Sequence, residues 1–226
     1  MREVVIDIET TGLDFKEGHK IIEIACTELE NLIPTGKKLQ IYINPERSVG
    51  KSIEIHNIKD EFLAEKKIFK EEIPNFIKFI KNDPLIVHNG IYFDIPFLNH
   101  ELKANNLNII KNKIIDTLII SRKKFPGAPA NLDALCRRFD IDLSIRKKHG
   151  ALIDTQLLAK VYLELKGGQQ PNLNLNSTKD EKPVTKLKNI EKQLLDKREF
   201  NLSDEEKNLH KEFIKKIKQP IWNKLN

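Results

Sequence analysis

Apolar and polar positions divide this chain into short strand-like runs followed by helix-like ones. Residues 4–8, 21–27 and 39–43 are rich in Val and Ile, with turn residues around Gly12, Gly18, Pro34 and Gly36 between them. Short connections of this kind predict an antiparallel meander. After Pro45 the period changes. Ile58, Phe62 and Leu63, then Ile73, Phe76, Ile77 and Ile80, recur at helical spacing until Pro84 interrupts them. A short buried strand over residues 85–87 ends at His88-Asn89, and a helix is predicted from about Phe93 to Lys103. A strand around Ile114 and Ile115 follows, then helices near 118–124 and 132–139, the second with Asn131 as its cap. A last core helix, about 151–166, stops at Gly167-Gly168. Strands in a meander followed by alternating helices and strands predict an α/β domain with a mixed sheet.

Beyond Gly168 the pattern weakens. Residues 169–186 are rich in Asn, Gln, Ser, Thr and Pro, the composition of a flexible linker. Residues 187–226 regain a helical pattern: Ser203-Asp204-Glu205-Glu206 has the form of a capping box, Leu209, Phe213, Ile214 and Ile217 follow at helical spacing, and Trp222 lies beyond Pro220. The expected organisation is therefore a domain over 1–168, a linker over 169–186 and a helical tail over 187–226.

Length and charge fit this division. A chain of 226 residues can bury one full core with a tail left over. The formal charge is +6, but fourteen basic and nine acidic residues lie from Lys166 onward, so the excess belongs almost wholly to the tail. A mild positive charge is compatible with a nucleic-acid partner and does not demand one. Cys26 and Cys136 lie far apart in apolar stretches without metal-ligand spacing, and read as buried free thiols in a reducing compartment. No apolar run approaches a membrane span, so the expectation is a soluble, cytoplasmic protein with no membrane partner.

The candidate chemistry begins at Asp7 and Glu9. A strand has a side-chain period of two, so both carboxylates leave the same face, and their repulsion is most simply relieved by a metal ion. Asp94 starts a helix just after a buried strand, and Asp154 lies early in the last core helix, five residues after His149. Strand ends and helix starts can converge at one edge of a sheet, where α/β domains usually build sites. Taken singly, these acids read as a solvated strand end, a helix cap and an exposed helix residue; their joint spacing with His149 favours chemistry. Asp116 and Asp133 read as structural, at a strand end and a helix start.

These residues carry a resemblance. Asp7-Ile8-Glu9-Thr10-Thr11-Gly12-Leu13, His88-Asn89 with Phe93-Asp94, and His149-Gly150-Ala151-Leu152-Ile153-Asp154 resemble the three motifs of the DEDDh family of 3′-to-5′ exonucleases, over roughly residues 1–168. Tyr42-Ile43-Asn44-Pro45-Glu46, Asp60-Glu61-Phe62-Leu63, Phe125-Pro126-Gly127 and Asn131-Leu132-Asp133-Ala134-Leu135-Cys136 bring the likeness nearest to the proofreading exonucleases of bacterial DNA replication. The resemblance implies a ribonuclease H-like fold with a mixed five-stranded sheet flanked by helices. It implies two divalent ions, Mg2+ or Mn2+, held about 4 Å apart by four carboxylates. Asp7 would serve both ions, Glu9 and Asp154 the ion that carries the attacking water, and Asp94 would be a direct or water-mediated ligand. His149 would be the general base. Asp7, Glu9 and Asp154, with Thr10, Thr11, Leu13, His56 and Asn89, would meet the terminal nucleotide. For His56, simple packing at a turn is an equal reading. The implied products are nucleoside 5′-monophosphates, and the implied partners are DNA with a 3′ end and a polymerase catalytic (alpha) subunit.

Two departures from the family pattern stand out. The second-motif acid usually follows the His by five residues, whereas Gly90, Ile91 and Tyr92 lengthen the interval to six here. His56-Asn57-Ile58 stands where the family often has His-Gly-Ile, and Asn is the non-glycine residue that best tolerates a left-handed backbone. In the linker, Gln170-Pro171-Asn172-Leu173-Asn174-Leu175 resembles the Gln-x-x-Leu-x-Leu peptides that bind the sliding clamp, with Gln170, Leu173 and Leu175 as anchors; an ordinary polar linker is the competing reading. The tail helix could dock on the polymerase or fold back on the nuclease domain. Two rival functions share these features: a DEDDh exoribonuclease trimming RNA 3′ ends, since the metal site would be the same, and a non-catalytic tether between polymerase and clamp.

Overall fold

The computed structural model describes residues 1–144, 146, 150–168 and 202–217. The chain divides into two units, Met1–Leu173 and Asn174–Asn226. In the first, strands β1 (Arg2–Thr10), β2 (Ile21–Glu30) and β3 (Ile33–Tyr42) are followed by helices α1 (Ile53–His56), α2 (Asp60–Ala64) and α3 (Phe69–Ile80). Strand β4 (Leu85–Val87), helix α4 (Asp94–Ala104), strand β5 (Ile114–Asp116) and helices α5 (Thr117–Lys124), α6 (Leu132–Arg138) and α7 (Ala151–Leu165) complete it. The sheet order is β3-β2-β1-β4-β5. The β1–β2 and β2–β3 pairs are antiparallel, and β1–β4 and β4–β5 are parallel, which gives the mixed sheet expected from the pattern, with the five strands the resemblance implies.

The first hairpin differs from expectation. Pro34 and Gly36 lie within β3, and the turn falls instead at Asn31 and Leu32, with φ of 52° and 71°. Two consecutive positive φ values are those of a two-residue hairpin turn whose twist matches its strands. Pro34 is accommodated because β3 is an edge strand, where a missing N–H breaks no interior ladder.

Alternation along β1 decides what each face of the sheet carries. Val4, Ile6 and Ile8 pack into a core with Phe69, Ile73, Phe76 and Ile80 of α3 and Phe97, Leu98 and Leu102 of α4. Val5 belongs to the opposite core, with Leu158, Ala159 and Tyr162 of α7. By the strand's period of two, Glu3, Asp7 and Glu9 share Val5's face. There the Tyr162 hydroxyl donates to Glu3 at 2.8 Å, and the Thr27 and Thr155 hydroxyls share a buried bond of 2.9 Å. Helix α7 is thus pinned to β1 and β2 by polar contacts in an otherwise apolar interface, which fixes its rotation.

Cys26 and Cys136 are buried free thiols. Among the described residues, no helix is long and apolar enough to cross a membrane. The linker expected at 169–186 lies outside the described residues. In the second unit, helix α8 (Asp204–Lys216) carries the capping box expected at Ser203 and Glu206, and Leu209 and Phe213 are exposed.

Candidate active site

Strand β1 and helix α7 bring three acids together. The carboxylates of Asp7, Glu9 and Asp154 offer oxygens that lie within 4.8 Å of one another. Asp7 and Glu9 project from one face of β1, and Asp154 reaches them from the first turn of α7, where it is buried. The start of that helix is tied down by Glu23, whose carboxylate accepts from the Ala151 N–H at 3.2 Å and from the Gln40 side chain at 2.7 Å. Glu23 is the register partner of Glu9 across β1 and β2, so a further acid adjoins the cluster.

Asp94 arrives from the opposite side of β1. It is buried at the start of α4, near enough for its charge to raise the Asp7 carboxyl, but outside the group of three whose oxygens meet. The lengthened turn before it is held by another acid. Asp116, buried at the end of β5, accepts from the N–H groups of Asn89 at 2.9 Å and Ile91 at 3.2 Å, and also caps α5 through Leu118. The Ile95 N–H then donates to the Gly90 carbonyl at 2.9 Å. A Cβ on Gly90 would sit 2.4 Å from Val87 Cβ and 2.9 Å from Asp94 Oδ2, so only glycine lets the turn close on the ligand. The extra residue is absorbed by a carboxylate that grips two backbone amides of the turn.

Of the residues expected around a terminal nucleotide, Glu9, Thr10, Thr11, Leu13 and His56 line a cavity of about 550 Å³, while Asp7 and Asp154 do not. Leu13 is exposed, whereas the threonine hydroxyls are engaged internally: Thr10 donates to the Gly12 carbonyl and Thr11 meets His19 Nδ1. The threonines therefore shape the wall. His56 is buried, with Nε2 on the Ser52 hydroxyl at 2.9 Å and Nδ1 accepting from the Ile58 N–H at 3.0 Å. Both ring nitrogens have partners within the turn, as the packing reading expects, while the ring still lines the cavity. Asn57 adopts φ 59°, the left-handed conformation that the family's glycine would supply. Asn89 does not line this cavity.

A second cavity of about 370 Å³ lies across the acids and is lined by Asp7, His88, Asp133, Arg146 and Asp154. Arg146 grips Asp154 with two bonds, Nε to Oδ1 at 2.6 Å and Nη2 to Oδ2 at 2.7 Å, and also donates to Asp133. Neither Glu23 nor Arg146 was expected from the sequence. Glu23 left a trace, an acid inside the apolar run of β2; Arg146 left none, because its role depends on how the chain between α6 and α7 folds back. His149 lies outside the described residues, as do Gln170, Leu173 and Leu175.

The acids repel one another. Burial, and then the Glu23 and Asp154 charges, push the Glu9 carboxyl up to about 8. Burial and the neighbouring Asp94 raise Asp7 well above the usual range, and burial lifts Asp94 to about 7. An all-oxygen set of crowded carboxylates suits a hard divalent cation such as Mg2+ or Mn2+.

Comparison with known proteins gives the family of the chain. The family described as Exonuclease matches residues 4–162. The chain is 45% identical over 224 residues to DNA polymerase III subunit epsilon of Rickettsia prowazekii, covering 96% of this chain and 97% of that one. It is 43% identical over 177 residues to the protein of the same name in Escherichia coli, covering 74% and 72% of the two chains. A solved structure of Exonuclease X in complex with 5′ overhanging duplex DNA shares the fold, with TM-score 0.58 at 21% identity over 73% of this chain and 90% of that one.

The raised carboxyls set a pH dependence. Folded metal-free protein binds more protons than unfolded chain between the ordinary value of 4.5 and about 8 at Glu9, and between 3.8 and about 7 at Asp94. Their stabilising contribution is complete below the ordinary carboxylate range and is lost as pH rises through about 7 to 8. Urea unfolding of chelator-treated protein should show stability declining across this window, with a shallower decline in Glu9→Gln. An identical pH slope in the two proteins would contradict the assignment.

Proposed function

Because the chain belongs to the exonuclease family, and is related over nearly its whole length to DNA polymerase III epsilon subunits, we propose that it removes mispaired nucleotides from DNA 3′ ends during replication. The observation that carries this reading is the set of acids Asp7, Glu9 and Asp154, with Asp94 buried nearby, beside a cavity of about 550 Å³. Asp7, Glu9, Asp94 and Asp154 would hold two divalent cations. When bound, such ions supply Lewis-acid activation of water and of the leaving 3′ oxygen.

The chain's own groups do the rest. The wall formed by Thr10, Thr11 and Leu13 seats the terminal nucleotide and excludes bulk water from the side of Glu9. His149, next to Gly150 at the start of α7, is the general base: a neutral imidazole there accepts a proton from the attacking water near neutral pH. Helix α8, with exposed Leu209 and Phe213, offers an amphipathic surface for the polymerase alpha subunit. The Gln170, Leu173 and Leu175 segment is the proposed clamp-binding peptide.

Degradation of matched DNA and RNA oligonucleotides, with and without a 3′ mismatch, tests the assignment. The wild type should prefer mismatched DNA, Asp7→Ala should be inactive, and His149→Ala should lose about 10²- to 10⁴-fold near neutral pH. Activity persisting in Asp7→Ala would refute the metal assignment, and a marked preference for RNA would identify an exoribonuclease instead. The doubly substituted Leu173→Ala/Leu175→Ala chain should lose sliding-clamp binding; equal binding would remove the clamp peptide.

A further inference from the structure

The bidentate grip of Arg146 on Asp154 places a fixed positive charge against a carboxylate assigned to the metals. Both side chains are almost fully enclosed, 9% and 8% exposed, so the pair is desolvated, and neither charge could stand there without a counterion. Both Asp154 oxygens are engaged by the guanidinium fork. A divalent cation on Asp154 would meet this fixed charge at close range, in surroundings that screen it poorly. Asp133 supplies a way out. It accepts from Arg146 Nη1, is 42% exposed at its side chain, and lines the same cavity as Asp7 and Asp154.

The geometry points to Arg146 as an internal counterion that neutralises Asp154 in the metal-free protein and yields it to the metal, retreating along the cavity onto Asp133. This rests on the metal cage proposed above and adds a function for the cage's surroundings. The exchange stabilises the metal-free fold and weakens metal binding by the same free energy, because a metal entering at Asp154 must first displace an ion pair. An arginine that merely tethered its loop would support the cage, and its removal would leave metal affinity unchanged or lower it.

Calorimetric titration of Mn2+ into the full chain separates these cases, with thermal unfolding of the metal-free and Mn2+-saturated forms alongside. Arg146→Gln should bind Mn2+ about tenfold more tightly than wild type. It should also melt at a lower temperature without metal, and gain more on Mn2+ saturation. Arg146→Lys, which keeps the charge but loses the fork, should shift affinity in the same direction by less, and serves if Arg146→Gln does not fold without metal. Equal or weaker Mn2+ binding in these variants, with Asp7→Asn weakened as the cage requires, would overturn the exchange alone. Binding in Asp7→Asn as tight as in wild type would refute the cage on which it rests.

Discussion

Carboxylates crowded beyond what water can screen form the constraint around which this domain is arranged. Asp7 and Glu9 leave β1 side by side, Asp154 and Glu23 press in from α7 and β2, and Asp94 lies buried at the start of α4 with its charge felt at Asp7. Burial and neighbouring acids lift Glu9 to about 8, and burial with the Asp116 charge lifts Asp94 to about 7, so the folded protein is left holding protons that ordinary carboxyls would release. A divalent cation would relieve that repulsion. In the metal-free protein, part of the relief comes from the Arg146 guanidinium on Asp154. Electrostatic cost at the site and its capacity to hold metal are the same property.

Maintaining such a cluster requires rigid supports, and the fold supplies one for each acid. Apolar packing of Val4, Ile6 and Ile8 against α3 and α4 anchors β1, while the alternate face delivers Asp7 and Glu9. Helix α7 is fixed in rotation by Tyr162 on Glu3 and Thr155 on Thr27, which aims Asp154 at the strand. Asp116 holds the turn before Asp94, and Gly90 lets that turn come close. Stability elements and site elements are therefore not separable here: the same polar contacts that lock α7 onto the sheet determine whether the acids meet.

Much of this could be read from sequence because the relevant signals are local. A strand period of two places Asp7 and Glu9 together, capping residues mark helix starts at Asn131 and Ser203, and Asn57 can substitute for glycine where a left-handed residue is needed. The first hairpin was misplaced because Pro34 and Gly36 look like turn residues, yet an edge strand tolerates both, and the turn falls at Asn31 and Leu32. The effect of the extra residue before Asp94 was beyond local reading. The turn that contains it is held by Asp116, a residue from the next strand, which accepts from the turn's amides. Glu23 escapes local reading because it caps a helix from a distant segment, and Arg146 because nothing in its own sequence marks which nearby acid it grips.

The central claim, that these acids form a cation cage, is tested most directly by anomalous diffraction from crystals of the full chain soaked in Mn2+. The account predicts manganese bound among Asp7, Glu9, Asp94 and Asp154, with the Arg146 side chain turned from Asp154 to Asp133. Manganese absent from these carboxylates, or bound only elsewhere on the surface, would contradict it.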